Sequence, residues 1–152
     1  MKKLLLIIAL LAGNCHYTRA QTQTKMRTQQ QTDSTAIADV LEQKYFTGIY
    51  EGDIEKLKTV YHTGTLLFGD VKGQPYAKTL SEYLDGVAHR QSPKDSGKPF
   101  KGTIVDIRVT NSIAIAEVNV KMYDFDYREY LSFHRIDGRW LIVNKMISDV
   151  AN

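Results

Sequence analysis

Aromatic side chains with a few polar neighbours are the residues of this chain most suited to forming a site. The sequence holds nine Tyr, five Phe and one Trp, and aromatic walls with a few hydrogen-bonding groups suit a small planar ligand. The candidate ligand-binding residues are Tyr45, His62, Tyr83, Phe133, Trp140 and Asn144. The rings would form the walls and Asn144 would orient the ligand. The competing interpretation is that these rings only fill the core.

Side chains that could transfer protons are few. His62 would follow a helix, His134 would lie in mid-strand, and Asp106 would lie on a strand close to Arg108. A general base usually needs burial that tunes its pKa, whereas strand alternation places Asp106 and Glu117 on the outer face of the sheet. The sequence therefore predicts no catalytic residue. An enzyme with His62 or Asp106 as general base is the alternative.

The motifs that hold metals and nucleotides are not found in the sequence. No two histidines stand at ligand spacing with an acid. There is no glycine-rich phosphate loop, no nucleophile elbow and no HExxH. We therefore predict no metal and no cofactor.

Three helices would position the aromatic side chains of the first half of the chain. Apolar residues recur there at spacings of three and four, which is typical of helices that cover a core. The predicted helices run from Asp33 or Ser34 to Gly52, from Asp53 to Thr63-Gly64, and from Thr79 to Gln91. Tyr45 and Tyr83 fall on their apolar stripes.

From Gly102 onward the period changes to two, which predicts antiparallel strands. The four β-rich runs are GTIVDIRV, AIAEVNVKM, REYLSFHRI and RWLIVNKMI, and a short irregular hairpin around Lys72-Gly73 precedes them. Together, the helices and strands indicate an α+β fold with three N-terminal helices packed on a curved sheet.

Two turns would set the register of these strands. Asp137-Gly138 is typical of a two-residue type I′ turn, which puts Arg135, Phe133 and Leu131 opposite Trp140, Ile142 and Asn144 on the helix-covered face. A turn at Asn111-Ser112 puts Val105, Ile107 and Val109 opposite Val118, Ala116 and Ala114. A slip of one residue would invert either assignment.

The first 20 residues have the pattern of a cleavable signal peptide. Lys2 and Lys3 precede an apolar run of nine residues, which is too short for a membrane span of about 20 residues. Small residues at Thr18 and Ala20 favour cleavage after Ala20. The expected location is therefore periplasmic or secreted, and lipid anchoring through Cys15 is the less favoured alternative.

Cleavage would change the charge of the chain. The net charge is +3, from 20 basic and 17 acidic residues, and the signal removes three basic residues, which leaves 17 of each. A balanced domain offers no electrostatic argument for nucleic acid. The predicted division is a signal peptide at 1–20, a disordered Gln/Thr-rich linker at 21–32, and one domain at 33–150.

Three stretches carry a resemblance to a known family. They are YFTGIYEGDIEKLKTVYH at Tyr45–His62, EYLDGVAHRQSPKDSG at Glu82–Gly97, and YLSFHRIDGRWLIVNK at Tyr130–Lys145. Over residues 36–148 the chain resembles the nuclear transport factor 2-like superfamily, and within it most closely the putative lumazine-binding family of small exported proteins. The resemblance implies a cystatin-like cone, a homodimer through the sheet, and a superfamily that includes isomerases, dehydratases and non-catalytic pocket proteins.

These observations favour an exported, non-catalytic protein that binds a small apolar or aromatic molecule inside the cone. An isomerase or dehydratase type of enzyme is the first alternative. A homodimerising interaction module, which would use the exposed sheet face with Tyr130, His134, Lys121 and Asn119, is the second.

Overall fold

The computed structural model of the protein describes residue 21 and residues 23–150, and the chain divides into two compact units between Asp33 and Ser34. In the first unit, residues 23–33 are helical. The hydroxyls of Thr28 and Thr32 donate to the carbonyls four residues earlier, at 3.0 Å each. The segment predicted to be a disordered linker is thus helical over residues 23–32, where Gln, Lys, Met and Arg all favour helix. The predicted signal peptide and Cys15 lie outside the described residues.

The second unit opens with helix α1, residues 34–51. Residues 34–40 are α-helical, Leu41–Phe46 form a π-helical turn, and Thr47–Glu51 are α-helical again. The predicted start near Asp33 or Ser34 was wrong, because the preceding residues are helical too, whereas the predicted end at Gly52 is confirmed. The extra residue of the π turn lets both Tyr45 and Phe46 point into the core.

Three shorter helices follow: α2 (Ile54–Lys58), α3 (Leu80–His89) and α4 (Pro93–Ser96). Asp53 caps α2 by accepting from the backbone N–H of Lys56, and Thr79 forms a capping box with Glu82 at the start of α3. The predicted extent of the second helix was wrong. It ends at Lys58, and Val60 already accepts a hydrogen bond from Ile142 of the sheet at 2.8 Å.

The sheet has six strands in the order β2-β1-β6-β5-β4-β3. The strands are β1 (Tyr61–Val71), β2 (Gln74–Thr79), β3 (Phe100–Thr110), β4 (Ile113–Met122), β5 (Phe125–Ile136) and β6 (Arg139–Asp149). Only β1 and β6 pair in parallel; the other neighbours are antiparallel. The four predicted C-terminal strands are confirmed, and the short hairpin around Lys72-Gly73 is longer than the sequence indicated.

The turn at Asp137-Gly138 has positive φ at both residues, 49° and 76°, as a type I′ turn requires. It pairs Arg135 with Trp140 and Phe133 with Ile142 as predicted. A bulge between Ser132 and Phe133 then shifts the register, so that Leu131 lies opposite Lys145 and Ser132 opposite Asn144. The predicted pairing of Leu131 with Asn144 was therefore wrong, and Lys145 takes the inward place.

A second bulge, between Ile104 and Asp106, affects the β3–β4 hairpin. The pairs Ile107–Ala116 and Val109–Ala114 are as predicted. Beyond the bulge Ile104 lies opposite Val118, and Val105, which was predicted to face the core, is 48% exposed.

The core lies between the inner face of the sheet and helices α1 to α3. Its largest buried side chains include Tyr45, Phe133, Leu57, Leu67 and Leu131. Phe46 packs on the backbone of Gly102, where an added Cβ would lie 2.3 Å from its ring. Among residues 21 and 23–150 no helix combines the length and apolar character needed to cross a membrane.

Candidate functional site

A cavity of about 220 Å³ opens between the helices and the inner face of the sheet. Every strand except β3 contributes to its wall, as do helices α1 and α3. The lining residues are Ile49, Val71, Tyr76, Lys78, Tyr83, Gly86, Arg90, Val120, Met122, Tyr127, Glu129, Lys145 and Ile147. Apolar and aromatic side chains with a few charged groups are typical of a small-molecule site.

Two of the lining residues form a buried network with Tyr45 of α1. The Tyr45 hydroxyl donates to Glu129 Oε2 at 2.5 Å. Lys145 Nζ donates to the Tyr45 oxygen at 2.8 Å and lies 2.6 Å from Glu129 Oε1. The side chains of Lys145 and Glu129 are only 3% and 2% exposed. We refer to Tyr45, Glu129 and Lys145 as the triad.

Each member of the triad owes its place to a different local feature. Tyr45 lies in the π turn, and Glu129 follows the inward alternation of β5. Lys145 faces inward because the bulge shifts β6 by one residue. A buried charge must be paired, and here each charged group has two polar partners.

Two members of the triad, Lys145 and Tyr45, keep their protons. Burial lowers the pKa of the Lys145 ammonium, but the adjacent Glu129 carboxylate outweighs this effect, and the pKa lies above its ordinary value. Burial, reinforced by the negative charge of Glu129, raises the pKa of Tyr45. At neutral pH Lys145 is thus a cation and Tyr45 a neutral phenol. Two of the three Lys145 protons go to the triad, which leaves one for a group in the cavity.

A row of tyrosines extends from the triad. The ring of Tyr61 lies 6.1 Å from that of Tyr45 and 5.9 Å from that of Tyr83, and Lys145 Nζ lies 5.3 Å from the Tyr83 centroid. The Tyr61 hydroxyl is buried and makes no hydrogen bond of ordinary geometry with the described residues. Burial raises its pKa, as does the negative charge of Glu129.

The cavity wall also carries Lys78 and Arg90. Arg90 Nε and Nη2 are buried and have no hydrogen-bond partner among the described residues. Lys78 Nζ lies 5.4 Å from the ring centroid of Tyr76. The pKa values of Tyr76 and Tyr127 are raised, mainly by burial, while the positive charge of Arg90 acts in the opposite direction. Of the four charged lining residues, three are cations and one is an anion.

A second hollow, of about 650 Å³, lies at the hairpin end of the sheet and is more open. It is lined by Arg108, Thr110, Ile113, Ala114, Ile115, Ser132, Phe133, His134 and Val143. It lacks an internal charge network like the triad. Within residues 21 and 23–150 no three His, Cys, Asp or Glu side chains cluster as a metal site would require.

A known protein family matches most of the chain. The sequence model of the family described as "Putative lumazine-binding" matches residues 32–148. The chain belongs to this family. The resemblance predicted from the three sequence stretches is confirmed.

The chain is also similar to a curated protein and to solved structures. A curated relative, "Aldolase FrzH" from Cladobotryum sp, is 29% identical over 104 residues, which cover 67% of this chain and 80% of that protein. Solved structures of NTF2-like proteins of unknown function come from Methylobacillus flagellatus and Shewanella baltica. The first is 22% identical, with a TM-score of 0.69 over 79% of this chain and 94% of that one. The second is 20% identical, with a TM-score of 0.69 over 80% and 96%. These structures show the NTF2-like fold, so the predicted α+β cone is confirmed.

The cavity includes only part of the predicted site. Tyr83 lines it, and Tyr45 lies behind its wall in the triad. Phe133 lines the open hollow instead, and Trp140 is buried with the Arg135 guanidinium 5.5 Å from its ring. The aromatic candidates therefore do not form one site, because Phe133 lines the other hollow and Trp140 lines neither.

The polar candidates lie away from the cavity. The Asn144 amide donates to the Leu66 carbonyl at 3.1 Å, on the outer side. His62 is exposed, and its Nδ1 accepts from the Gly64 N–H at 3.1 Å. Asp106 is on the outer face as predicted, 3.1 Å from Arg108 Nε. Neither His62 nor Asp106 borders the cavity.

Sequence reasoning missed Glu129, Lys145, Lys78 and Arg90. Glu129 carried a usable signal, because it lies two residues before Leu131 and four before Phe133 on the same alternating face. Lys145 carried none, since its inward orientation depends on the bulge.

Proposed function

We propose that the protein binds a small molecule in the cavity between its helices and the inner face of its sheet. The observation that carries this proposal is the triad: a buried ion pair with its phenol partner stands at the wall of a hollow rather than inside solid core. A fully packed core has no need of such charges, whereas a binding site uses a few fixed polar groups to orient its ligand. The family's description supports the same function.

The ligand should be about the size of one or two fused rings. A cavity of about 220 Å³ is below the usual range of roughly 300–1,000 Å³ for drug-sized ligands. The aromatic faces of Tyr76, Tyr83 and Tyr127 suit a planar molecule. Lumazine, a bicyclic ring with carbonyl acceptors, is therefore a reasonable first probe.

A variant that fills the cavity tests this proposal. Gly86 of α3 lines the cavity, and a Cβ there would meet nothing closer than Lys78 Nζ at 3.9 Å, so Gly86→Leu should fold and occupy the space. Calorimetric titration of the full chain with lumazine and other bicyclic heteroaromatics should give binding that Gly86→Leu abolishes. Ala88→Leu, on the exposed side of the same helix, is the matched control. Equal binding by Gly86→Leu would overturn the proposal.

Binding without chemistry is the form of this function that we favour. The raised pKa values of Lys145 and Tyr45 support it, because a protonated amine is not a nucleophile and a neutral phenol is not a base. The aldolase relative favours a second candidate, proton transfer by Glu129, the only carboxylate in the described wall. If the protein is such an enzyme, Glu129→Gln should remove activity but retain ligand affinity; unchanged activity would exclude this role.

We also propose that the protein is exported and cleaved after Ala20. The motivation is the basic and apolar pattern of residues 1–20. Mass spectrometry of the mature chain should find Gln21 at the N-terminus. A lipid-modified Cys15 would instead support membrane anchoring, and an intact Met1 would contradict both.

We also propose that the protein forms a homodimer through the outer face of its sheet. Six large apolar side chains on this face are between 41% and 57% exposed: Leu66, Phe68, Ile113, Ile115, Tyr130 and Met146. We call them the outer apolar face. A patch of this kind on a small domain is typical of an association surface.

A further inference from the structure

We propose that the cavity selects an anionic ligand, a planar aromatic acid whose carboxylate binds Arg90 and Lys78. This inference rests on the proposed binding function and names the class of ligand. Its starting point is the Arg90 guanidinium, whose Nε and Nη2 are buried at the cavity wall and have no hydrogen-bond partner among the described residues.

Burying part of an unpaired guanidinium is costly. Such groups are normally satisfied by a carboxylate or phosphate, and removing water from a charge without pairing it is strongly unfavourable. Among the described residues neither Arg90 nor Lys78 makes a close ion pair, although the Glu82 carboxylate interacts with Lys78 from a longer distance. Both cations therefore remain open to a close anionic partner.

Glu129 does not neutralise Arg90 or Lys78, because its carboxylate is already paired within the triad. One of its oxygens accepts from Tyr45 and the other lies 2.6 Å from Lys145 Nζ. With the Glu129–Lys145 pair cancelled, the remaining charge of the described cavity wall is that of Lys78 and Arg90. A ligand that brings a negative charge meets two cations of the wall that have no close ion-pair partner among the described residues.

The wall residues define how such a ligand is held. The planar guanidinium fork matches a carboxylate through two parallel hydrogen bonds. The apolar wall residues Val120, Met122 and Ile147 accommodate the ring. The remaining proton of Lys145 can then donate to an acceptor on the ring.

A pair of probes with the same ring tests the charge preference. 2-Naphthoate carries a carboxylate and 2-naphthamide replaces it with a neutral group of similar shape. We expect nuclear magnetic resonance titration of the isotope-labelled full chain to give at least about ten-fold tighter binding of 2-naphthoate, the change expected for a hydrogen-bonded charge. Both compounds should shift the resonances of cavity residues.

Variants assign the preference to its residues. Arg90→Gln should weaken 2-naphthoate about ten-fold or more and 2-naphthamide less than about two-fold, and Lys78→Gln should act in the same direction with a smaller effect. Arg90→Lys keeps the charge without the fork and should give intermediate affinity. Arg139→Gln, at the exposed first residue of β6, is the control and should change neither affinity. Dispersed spectra establish that each variant folds.

Opposite results separate this inference from the binding function itself. If 2-naphthamide binds in the cavity as tightly as 2-naphthoate, or Arg90→Gln weakens both equally, the anion preference is overturned and the cavity proposal stands. If neither compound shifts cavity resonances in the wild-type protein, the anion preference is overturned, and the cavity proposal falls with it only if lumazine also fails to bind.

Discussion

At the scale of single residues, the triad combines two opposing energies. Removing Lys145 and Glu129 from water costs several kcal/mol per charge, and only close pairing with additional hydrogen bonds offsets that cost. Tyr45 supplies these bonds by donating to Glu129 and accepting from Lys145. The arrangement is therefore stable as a whole and sensitive to the loss of any member.

Replacing one charged member of the triad should greatly lower the free energy of unfolding, whereas replacing both charged members should lower it much less. We expect Lys145→Met to lower the free energy of unfolding by about 3–5 kcal/mol, because Glu129 is left buried and unpaired. The double variant Lys145→Met/Glu129→Leu should recover most of this loss. Urea unfolding of the two single variants and the double variant measures the coupling. Lys58→Met, which breaks the exposed contact with Glu55, is the control, and a double variant as unstable as Lys145→Met would contradict the expectation.

The triad also predicts how stability changes in alkali. In the unfolded chain Tyr45 and Lys145 lose their protons near their ordinary pKa values of about 10 and 10.4, whereas the folded protein holds both protons to higher pH because both pKa values are raised. Their stabilising contribution is complete below about pH 10 and falls as pH rises above it, by up to about 1.4 kcal/mol per pH unit for each group. Denaturation between pH 8 and 11 should show a shallower decline for Tyr45→Phe than for the wild type. An identical slope in both proteins would show that Tyr45 does not contribute.

At the scale of elements, the parallel contact between β1 and β6 holds the N-terminal hairpin on the sheet. Gly69 of β1 has φ of +150°, and a Cβ there would lie 1.7 Å from the Ile147 carbonyl oxygen. No rotation of a side chain can relieve a clash with backbone. The pairing of these two strands therefore requires glycine at this position.

Gly69→Ala should accordingly destabilise the protein by roughly 3 kcal/mol or more, through overpacking and backbone strain together. Thermal unfolding measures the effect. Gly64→Ala, in the same strand, is the matched control, because its Cβ would lie at ordinary contact distance, 3.4 Å, from the His62 ring. Equal melting temperatures for the two variants would show that β1 can separate from β6 at no cost.

The elements differ in how far the sequence determined them. The Asp137-Gly138 turn predicted the pairing of β5 with β6 correctly as far as Phe133 and Ile142, because the conformation of a turn depends on its own residues. The bulge beyond Ser132 left no mark in the pattern, since an alternation of apolar and polar residues continues on both sides of it. Because of this one-residue shift, Lys145 rather than Asn144 lies on the inner face. The inward-facing group is therefore a buried cation and not the predicted neutral amide.

The π turn illustrates the same limit in a helix. Apolar residues at Ile37, Leu41, Tyr45 and Ile49 predicted a regular helix, and all four are buried. The sequence did not indicate the extra residue that also brings Phe46 inward against Gly102. Phe46 can take this inward position because the facing residue, Gly102 of β3, has no Cβ. This is a feature of the tertiary structure and not of the local sequence.

At the scale of the whole molecule, the two faces of the sheet differ in character. The inner face carries the triad and the cavity. The outer apolar face extends over four adjacent strands, because Leu66, Asn144, Ser132 and Ile115 lie in one cross-strand row and Phe68, Met146 and Tyr130 in the next. Of the residues predicted for an interaction surface, Tyr130 and His134 belong to this side, and Asn119 and Lys121 continue it along β4.

Light scattering coupled to size-exclusion chromatography should therefore give the mass of two chains for the full-length protein at micromolar concentration. Ile115→Arg places a charge at the centre of the outer apolar face and should give one chain, because an unpaired charge cannot be buried between two apolar surfaces. Ala88→Arg adds the same charge on the exposed side of α3, behind the opposite face of the sheet, and should leave the mass of two chains unchanged. Since the cavity opens on the inner face, Ile115→Arg should still bind the cavity ligand. A wild-type protein with the mass of one chain would show that the outer apolar face has another partner or none.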